Sequence, residues 1–173
     1  MLSGNGQSSS GQGGGCGAEF VVYLPACEHT ATVDASCSEI REIPTGSERI
    51  LVVDDEEAVR IVMQRSLEHL GYEVVVANNG QEALQIFSNL QGSFSLVIVD
   101  MIMPLMAGDE LFYKLRKIDK ATRVLIASGY SSDKRTKAML SDGALGFIQK
   151  PFAVEELAEE VRRCLDSKVK VAL

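Results

Sequence analysis

Five polar residues in this sequence stand directly after short apolar runs, where a buried polar group needs partners. Asp54-Asp55 follow ILVV, Asp100 follows LVIV, Ser128 follows VLIA and Lys150 follows GFIQ. If these positions converge in the fold, the carboxylates repel one another unless a cation or the lysine lies between them. Carboxylate oxygens suit Mg²⁺, which proteins hold through one or two carboxylates together with water and phosphate. The residue types therefore indicate a magnesium site.

The same residues also suit phosphoryl chemistry. A carboxylate can attack phosphorus to give an aspartyl phosphate, while a metal ion screens the incoming group and a lysine and a hydroxyl bind its oxygens. Each residue alone has a structural alternative: an aspartate of the 54–55 pair can cap a helix, Asp100 can start a turn, Ser128 can be a turn serine and Lys150 a solvated lysine. Only their joint placement favours a phosphoryl site.

The elements that must position these residues follow from the spacing of apolar side chains. Short apolar runs predict strands at 50–53, 73–77, 95–99, 123–127 and 145–149. Helical stripes predict helices at 56–70, 81–90, 108–118, 132–140 and 153–165. This alternation predicts a parallel sheet with helices on both faces and with the first and third strands central. The binding crevice of such a sheet lies at the carboxyl ends of its strands.

Composition limits the function classes. The formal net charge of −7, from 17 basic and 24 acidic residues, argues against a nucleic-acid partner and against direct contact with an anionic membrane. No run approaches the roughly 18 apolar residues of a membrane span, and no other lysine or arginine precedes Arg41. We therefore expect a cytoplasmic protein. The cysteines form no metal-binding pattern, and Cys164 lies in a helical apolar stripe, which predicts a core cysteine.

The motifs ILVVDD, LVIVD before MIMP, LIASGY, and KPF after GALGFIQ together resemble the receiver domain of two-component response regulators, the CheY-like family of bacterial signalling. The resemblance covers roughly residues 48–165. It implies a flavodoxin-like (βα)5 fold with strand order 2-1-3-4-5. The expected receiver domain is 48–167, with a short tail at 168–173.

The resemblance implies a role for each acidic residue at the strand ends. Asp100 would be the phosphoacceptor, taking its phosphoryl group from a phosphohistidine. Asp55 and Asp100 would ligate Mg²⁺ directly, the backbone carbonyl of Ile102 would be a third protein ligand, and Asp54 would act through water. The fragment would catalyse only its own phosphorylation and dephosphorylation.

The resemblance also implies how the site signals. Ser128 would hydrogen-bond to the phosphoryl group and Lys150 would pair with it, with a bond to Pro151 that is commonly cis. Phe147 would be an aromatic switch that turns inward as Ser128 moves, the alternative being an ordinary buried strand aromatic. This change would remodel the face of the fourth helix, fifth strand and fifth helix for a downstream protein. The phosphodonor would be a histidine kinase or a histidine phosphotransfer protein, and a homodimer stays open.

Three other functions remain as alternatives. An aspartyl-phosphate phosphohydrolase usually carries a second acid two residues after its nucleophile, where this sequence has Ile102. That residue also leaves the lifetime of the phosphorylated state open. A dinucleotide-binding or flavodoxin-like domain needs a phosphate loop after the first strand, where residues 54–57 are all acidic. A phosphorylation-independent pseudo-receiver normally lacks an acid or the lysine.

The N-terminal quarter of the chain differs in amino-acid composition from the remainder. Residues 1–17 are rich in glycine and serine, a composition that predicts disorder. Residues 18–25, AEFVVYLP, predict a strand, and GQGGGCGAEFVVYLPA resembles the end of a histidine-kinase ATP-binding domain. This resemblance implies the C-terminal part of a hybrid kinase whose parent chain could be membrane-anchored, with 26–47 as a linker. The alternative is a disordered leader on a stand-alone regulator.

Overall fold

The computed structural model describes residues 43–90, 93–129 and 134–167. The predicted leader 1–17, the predicted strand 18–25, residues 26–42 of the predicted linker and the tail 168–173 lie outside these ranges. Within the described ranges, no helix is both long enough and apolar enough to cross a membrane.

Five strands alternate with five helices, as predicted. The strands are β1 (Arg49–Val53), β2 (Glu73–Ala77), β3 (Leu96–Asp100), β4 (Val124–Ser128) and β5 (Gly146–Gln149). The helices are α1 (Glu57–His69), α2 (Gly80–Asn89), α3 (Gly108–Ile118), α4 (Lys134–Ser141) and α5 (Val154–Asp166). The strands form one sheet in the order β2-β1-β3-β4-β5, and each neighbouring pair is parallel. The predicted fold class and strand order are therefore confirmed.

The register of the sheet aligns the strand ends. At the carboxyl edge the paired residues are Val53 with Val99, Asp100 with Ala127, and Ser128 with Gln149. Asp100 and Ser128 are the last residues of β3 and β4, whereas the sequence predicted that both strands end one residue earlier. Asp54 and Lys150 each follow their strand by one residue. One edge of the sheet thus carries Asp54, Asp100, Ser128 and Lys150.

The core has two layers because side chains of a strand alternate between the faces of the sheet. In β3, Val97 and Val99 pack on the side of α2 and α3, while Leu96 and Ile98 pack on the side of α1 and α5. All five residues of β3 are buried, which explains its unbroken apolar run. Cys164 lies fully buried in the second layer, and burial raises the pKa of its thiol to about 11.

The apolar helical stripes of the sequence predict inward positions for Val62, Leu90 and Val154, but all three are exposed. Val62 is 56% exposed, Leu90 41% and Val154 40%. Val62 precedes the buried Met63 by one position, which turns it about 100° away around the helix axis. Leu90 lies just after the last residue of α2, and Val154 is the first residue of α5. The buried helix stripes are therefore narrower and shorter than predicted.

The segment before β1 also packs onto the domain. The Gly46 N–H donates to the Leu70 carbonyl over 3.1 Å, and Arg162 Nη1 lies 2.9 Å from Glu48 Oε1. These contacts join the segment to the end of α1 and to α5. The packed unit thus begins before Glu48, the predicted start of the domain.

Candidate functional site

Three carboxylates gather at the carboxyl edge of the sheet. Asp54, Asp55 and Asp100 can each offer one oxygen such that all three oxygens lie within 4.8 Å of one another. Asp54 is fully buried, Asp100 is 7% exposed and Asp55 is exposed. The cluster therefore opens to solvent on the side of Asp55. A compact, all-oxygen group with one open side fits a hard divalent cation such as Mg²⁺.

Lys150 joins two of these carboxylates. Its Nζ donates to Asp54 Oδ2 over 2.5 Å and to Asp100 Oδ1 over 2.8 Å. Burial alone would lower the pKa of Lys150, but the hydrogen bonds to Asp100 and Asp54 outweigh burial and raise it. The lysine thus stays charged and offsets part of the repulsion between the acids. The peptide bond between Lys150 and Pro151 is cis, as the resemblance implies.

The Asp100 carboxylate is held in place but is not stabilised as an anion. Its Oδ2 accepts a hydrogen bond from the Ile102 N–H over 3.2 Å. Burial, together with the charge of Asp54, raises the pKa of Asp100, and the contact with Lys150 only partly opposes this. A cation or a bound electrophile at Asp100 would therefore reduce the unfavourable electrostatic energy of its charge.

The turn after β1 holds Asp54 by several groups. The Glu56 N–H donates to Asp54 Oδ1 over 3.0 Å, and Arg60 Nη1 donates to the Asp54 backbone carbonyl over 2.7 Å. Arg60 was not among the predicted site residues. The signal that could have found it is a basic residue near the start of a helix, where acidic residues are usual.

Ser128 and Phe147 lie on neighbouring strands beside this cluster. Ser128 is buried, and its backbone carbonyl accepts a hydrogen bond from the Lys150 N–H over 2.8 Å. Gly129, which follows it, is exposed, and a Cβ there would meet nothing within 4 Å. Phe147 is half-buried and packs against the core layer of α2 and α3. The proposed roles of Ser128 and Phe147 in switching stay predictions.

The loop after β3 closes the site on another side. Gly108, the first residue of α3, approaches Asp100 so closely that a Cβ on it would lie 2.3 Å from the Asp100 carbonyl oxygen. In the same loop, Ile102 is 59% exposed and Leu105 is 76% exposed. Leu105 also has a φ of 69°, in the left-handed region that leucine rarely adopts. Two apolar side chains of the loop that follows Asp100 therefore face solvent.

A groove runs next to Lys150, between α1 and the segment that joins β5 to α5. It has a volume of about 440 Å³. Its lining is mostly apolar and includes Val59, Val62, Pro151 and Phe152. The exposed Val62 thus forms one wall of a groove that reaches Lys150, the partner of Asp54 and Asp100.

Comparisons with known proteins agree with this geometry. The model of the response regulator receiver domain family matches residues 50–162, more than half of the chain. Sensor kinase CckA of Brucella abortus (strain 2308) is 33% identical over 161 residues, a match that covers 89% of this chain and 17% of the kinase. The chain spans about half the length or less of the curated relatives it matches.

Solved structures show the same likeness. The receiver domain of hybrid histidine kinase CckA is 38% identical, with a TM-score of 0.58 over 68% of this chain and 99% of that one. Response regulator TrrA from Thermotoga maritima, solved in complex with Mg²⁺ and BeF, is 37% identical, with a TM-score of 0.59 over 68% of this chain and 98% of that one. The chain therefore belongs to the response regulator receiver domain family of two-component signalling.

Proposed function

We propose that this receiver takes a phosphoryl group from a phosphohistidine onto Asp100 and thereby changes its affinity for a partner protein. The observation that carries this proposal is the setting of Asp100, which lies at the end of a rigid central strand beside two other carboxylates and Lys150. A buried carboxylate whose pKa is raised and which solvent can still reach is a good site for an electrophile.

The residues that would hold Mg²⁺ are Asp55 and Asp100, with the Ile102 carbonyl as a third ligand and Asp54 acting through water. The support for this set is the compact group of carboxylate oxygens and its open side at Asp55. When bound, the metal would neutralise charge on the acids and on the phosphoryl oxygens. Before the metal binds, Lys150 already neutralises part of the negative charge of the cluster, which reduces the repulsion between the acids.

For the transfer itself, the protein mainly has to position the reacting groups and stabilise their charge. An oxygen of Asp100 attacks phosphorus, and the O–P bond forms as the N–P bond to the donor imidazole breaks. The electron pair stays on the imidazole nitrogen, which takes up a proton. Lys150 would then exchange its contact with Asp100 Oδ1 for one with a phosphoryl oxygen, and the Ser128 hydroxyl would donate to another. The receiver would in this way promote its own phosphorylation.

Signal output would use the face of α4, β5 and α5. Phe147, which is half-buried on β5, would turn inward when Ser128 shifts toward the phosphoryl group. The exposed charges of this face differ by helix, since α4 carries Lys134 and Lys137 while α5 carries Glu155 and Glu159. A downstream protein with complementary charges would recognise such a surface.

The phosphodonor would dock at the groove beside Lys150. An apolar groove of this kind accepts an amphipathic helix, and its position would bring a histidine on that helix toward Asp100. Changing Val62 to Glu should therefore slow phosphotransfer from a phosphorylated histidine protein at least tenfold. Uptake from acetyl phosphate, which needs no docking, should be unchanged. Equal slowing with both donors would contradict docking at this groove.

The N-terminal residues are proposed to come from the ATP-binding domain of a hybrid histidine kinase, with 26–47 as the linker. The match to CckA supports this, because a match over 89% of the chain cannot be confined to residues 43–173. Since a histidine kinase needs ATP, the proposed location of the receiver is the cytoplasm. The kinase sequence upstream of Met1 in the gene would test this origin, and its absence would contradict it.

The proposed chemistry can be tested with a small donor. Wild type incubated with acetyl phosphate and Mg²⁺ should gain the mass of one phosphoryl group, and the gain should be lost with EDTA. Asp100→Asn should gain nothing, whereas the matched variant Asp142→Asn, at an exposed position that keeps an acceptor for Tyr113, should behave as wild type. No uptake by wild type would contradict the proposal.

A further inference from the structure

Arg60 lies near a helix N-terminus, where acidic residues are usually preferred to basic ones. It is the fourth residue of α1, and a cation near a helix N-terminus interacts unfavourably with the helix dipole. Its guanidinium instead donates through Nη1 to the backbone carbonyl of Asp54 over 2.7 Å, and its side chain is half-buried. The contact with the strand end, rather than helix stability, is therefore what favours arginine here.

Asp55 is the carboxylate of the cluster with the least restraint. Within residues 43–90, 93–129 and 134–167, the structure records no hydrogen-bond or ion-pair partner for its side chain. Asp54 and Asp100, by contrast, are each held by Lys150 and by a backbone N–H. The position of the Asp55 side chain therefore depends on the backbone of the turn from which it projects.

Lys150 and the Ala77 carbonyl hold Asp54 from other segments of the chain. Two further contacts fasten the turn. One is the hydrogen bond from the Glu56 N–H to Asp54 Oδ1, which spans Asp55 within the turn itself. The other is the contact from Arg60 to the Asp54 carbonyl, which ties the end of β1 to α1. Of these two, the Arg60 contact is made by a side chain of α1, so it ties the turn to that helix.

We infer that Arg60 is a positioning residue for the metal site, holding the Asp54–Asp55 backbone so that the otherwise unrestrained Asp55 carboxylate meets the cation. This inference rests on the proposed function. Arg60 touches neither the metal ligands' carboxylates nor the reacting atoms, and its effect is exerted through the Asp54 carbonyl. Outer groups of this kind commonly change metal affinity when they are removed.

The test is calorimetric titration of Mg²⁺ into wild type and variants at constant ionic strength, with urea unfolding measured alongside. Arg60→Met should raise the Mg²⁺ dissociation constant about tenfold, the lower end of the usual effect of outer-shell groups. Arg60→Lys keeps the charge but not the planar donor group, so it should give a smaller increase. Arg65→Met, an exposed change on the same helix, should leave the constant unchanged.

Two outcomes would overturn the inference while the proposed function stands. If Arg60 acted only through its charge, Arg60→Met would bind Mg²⁺ more tightly than wild type, and Arg60→Lys would match wild type. If Arg60 were only structural, the variants would unfold at lower urea with unchanged Mg²⁺ affinity. Wild type that binds no Mg²⁺ would instead overturn the proposed function, and this inference with it.

Discussion

At the scale of single residues, the site concentrates negative charge in a place where solvent can do little to screen it. Asp54 and Asp100 are both buried, and Lys150 forms an ion pair with each of them. Burial and the charge of Asp54 raise the pKa of Asp100 above its value in the unfolded chain. Compared with the unfolded chain, the folded protein therefore disfavours the charged form of Asp100, and this charge destabilises the fold at neutral pH.

Asp100→Asn should accordingly stabilise the fold at pH 7 in the absence of Mg²⁺. The raised pKa means that the free energy of unfolding of wild type falls as the pH rises from the unfolded pKa through the folded one. The variant escapes this loss, so it should exceed wild type by on the order of 1 kcal/mol at pH 7. Urea unfolding at several pH values should show the difference shrinking as the pH falls through that window. A variant less stable than wild type at pH 7 would contradict this reasoning.

Leu105 offers a second prediction at this scale. Its φ of 69° lies in the left-handed region, which costs an L-residue about 1–2 kcal/mol, and asparagine tolerates that region better than leucine. Because Leu105 is 76% exposed, little apolar burial is lost on replacement. Leu105→Asn should therefore raise the free energy of unfolding by about 1 kcal/mol. The control Leu140→Asn, in the regular helix α4 and also exposed, should give no such gain.

At the scale of elements, the position of α3 depends on the absence of a side chain at Gly108. The Gly108 N–H donates to the Met101 carbonyl over 3.2 Å, and a Cβ at this position would lie 2.3 Å from the Asp100 carbonyl oxygen. Both neighbours are backbone of the segment that carries Asp100, the proposed phosphoacceptor. The helix and the site are thus coupled through one close approach.

Gly108→Ala should therefore displace the start of α3 and lower the free energy of unfolding by about 1–3 kcal/mol, the usual effect of overpacking. Thermal unfolding would measure the loss. Gly129→Ala is the matched control for stability, since a Cβ there would meet nothing within 4 Å. If both variants unfold at the temperature of wild type, the close approach at Gly108 has no energetic consequence.

Most of the elements could be predicted from the sequence because buried parallel strands give unbroken apolar runs. The order of strands and helices and the placement of Asp54, Asp100 and Lys150 at one edge followed from that pattern. The exposure of Val62 could not be predicted, because a helical stripe does not show how wide the contact with the sheet is. The contact of Arg60 depends on the path of the β1–α1 turn, which leaves no periodic signal.

At the scale of the whole molecule, the two core layers hold the sheet so that its carboxyl end can position the site. The two core layers fix β3 from both faces, and the carboxyl edge gathers acids that come from separate segments of the chain. The groove is lined by α1 and by residues 150–152, whereas the proposed output face consists of α4, β5 and α5. Phosphoryl entry and signal output are therefore proposed to use different surfaces that adjoin at the segment between β5 and α5.

The central claim is that Asp100 is the residue that carries the phosphoryl group, and reductive trapping tests it most directly. Wild type would be treated with acetyl phosphate and Mg²⁺ and then with borohydride, which reduces an aspartyl phosphate to homoserine. Peptide mass spectrometry would then locate the reduced residue. The result predicted here is homoserine at position 100, with Asp54 and Asp55 unchanged. Homoserine at another aspartate, or none anywhere in wild type, would contradict it.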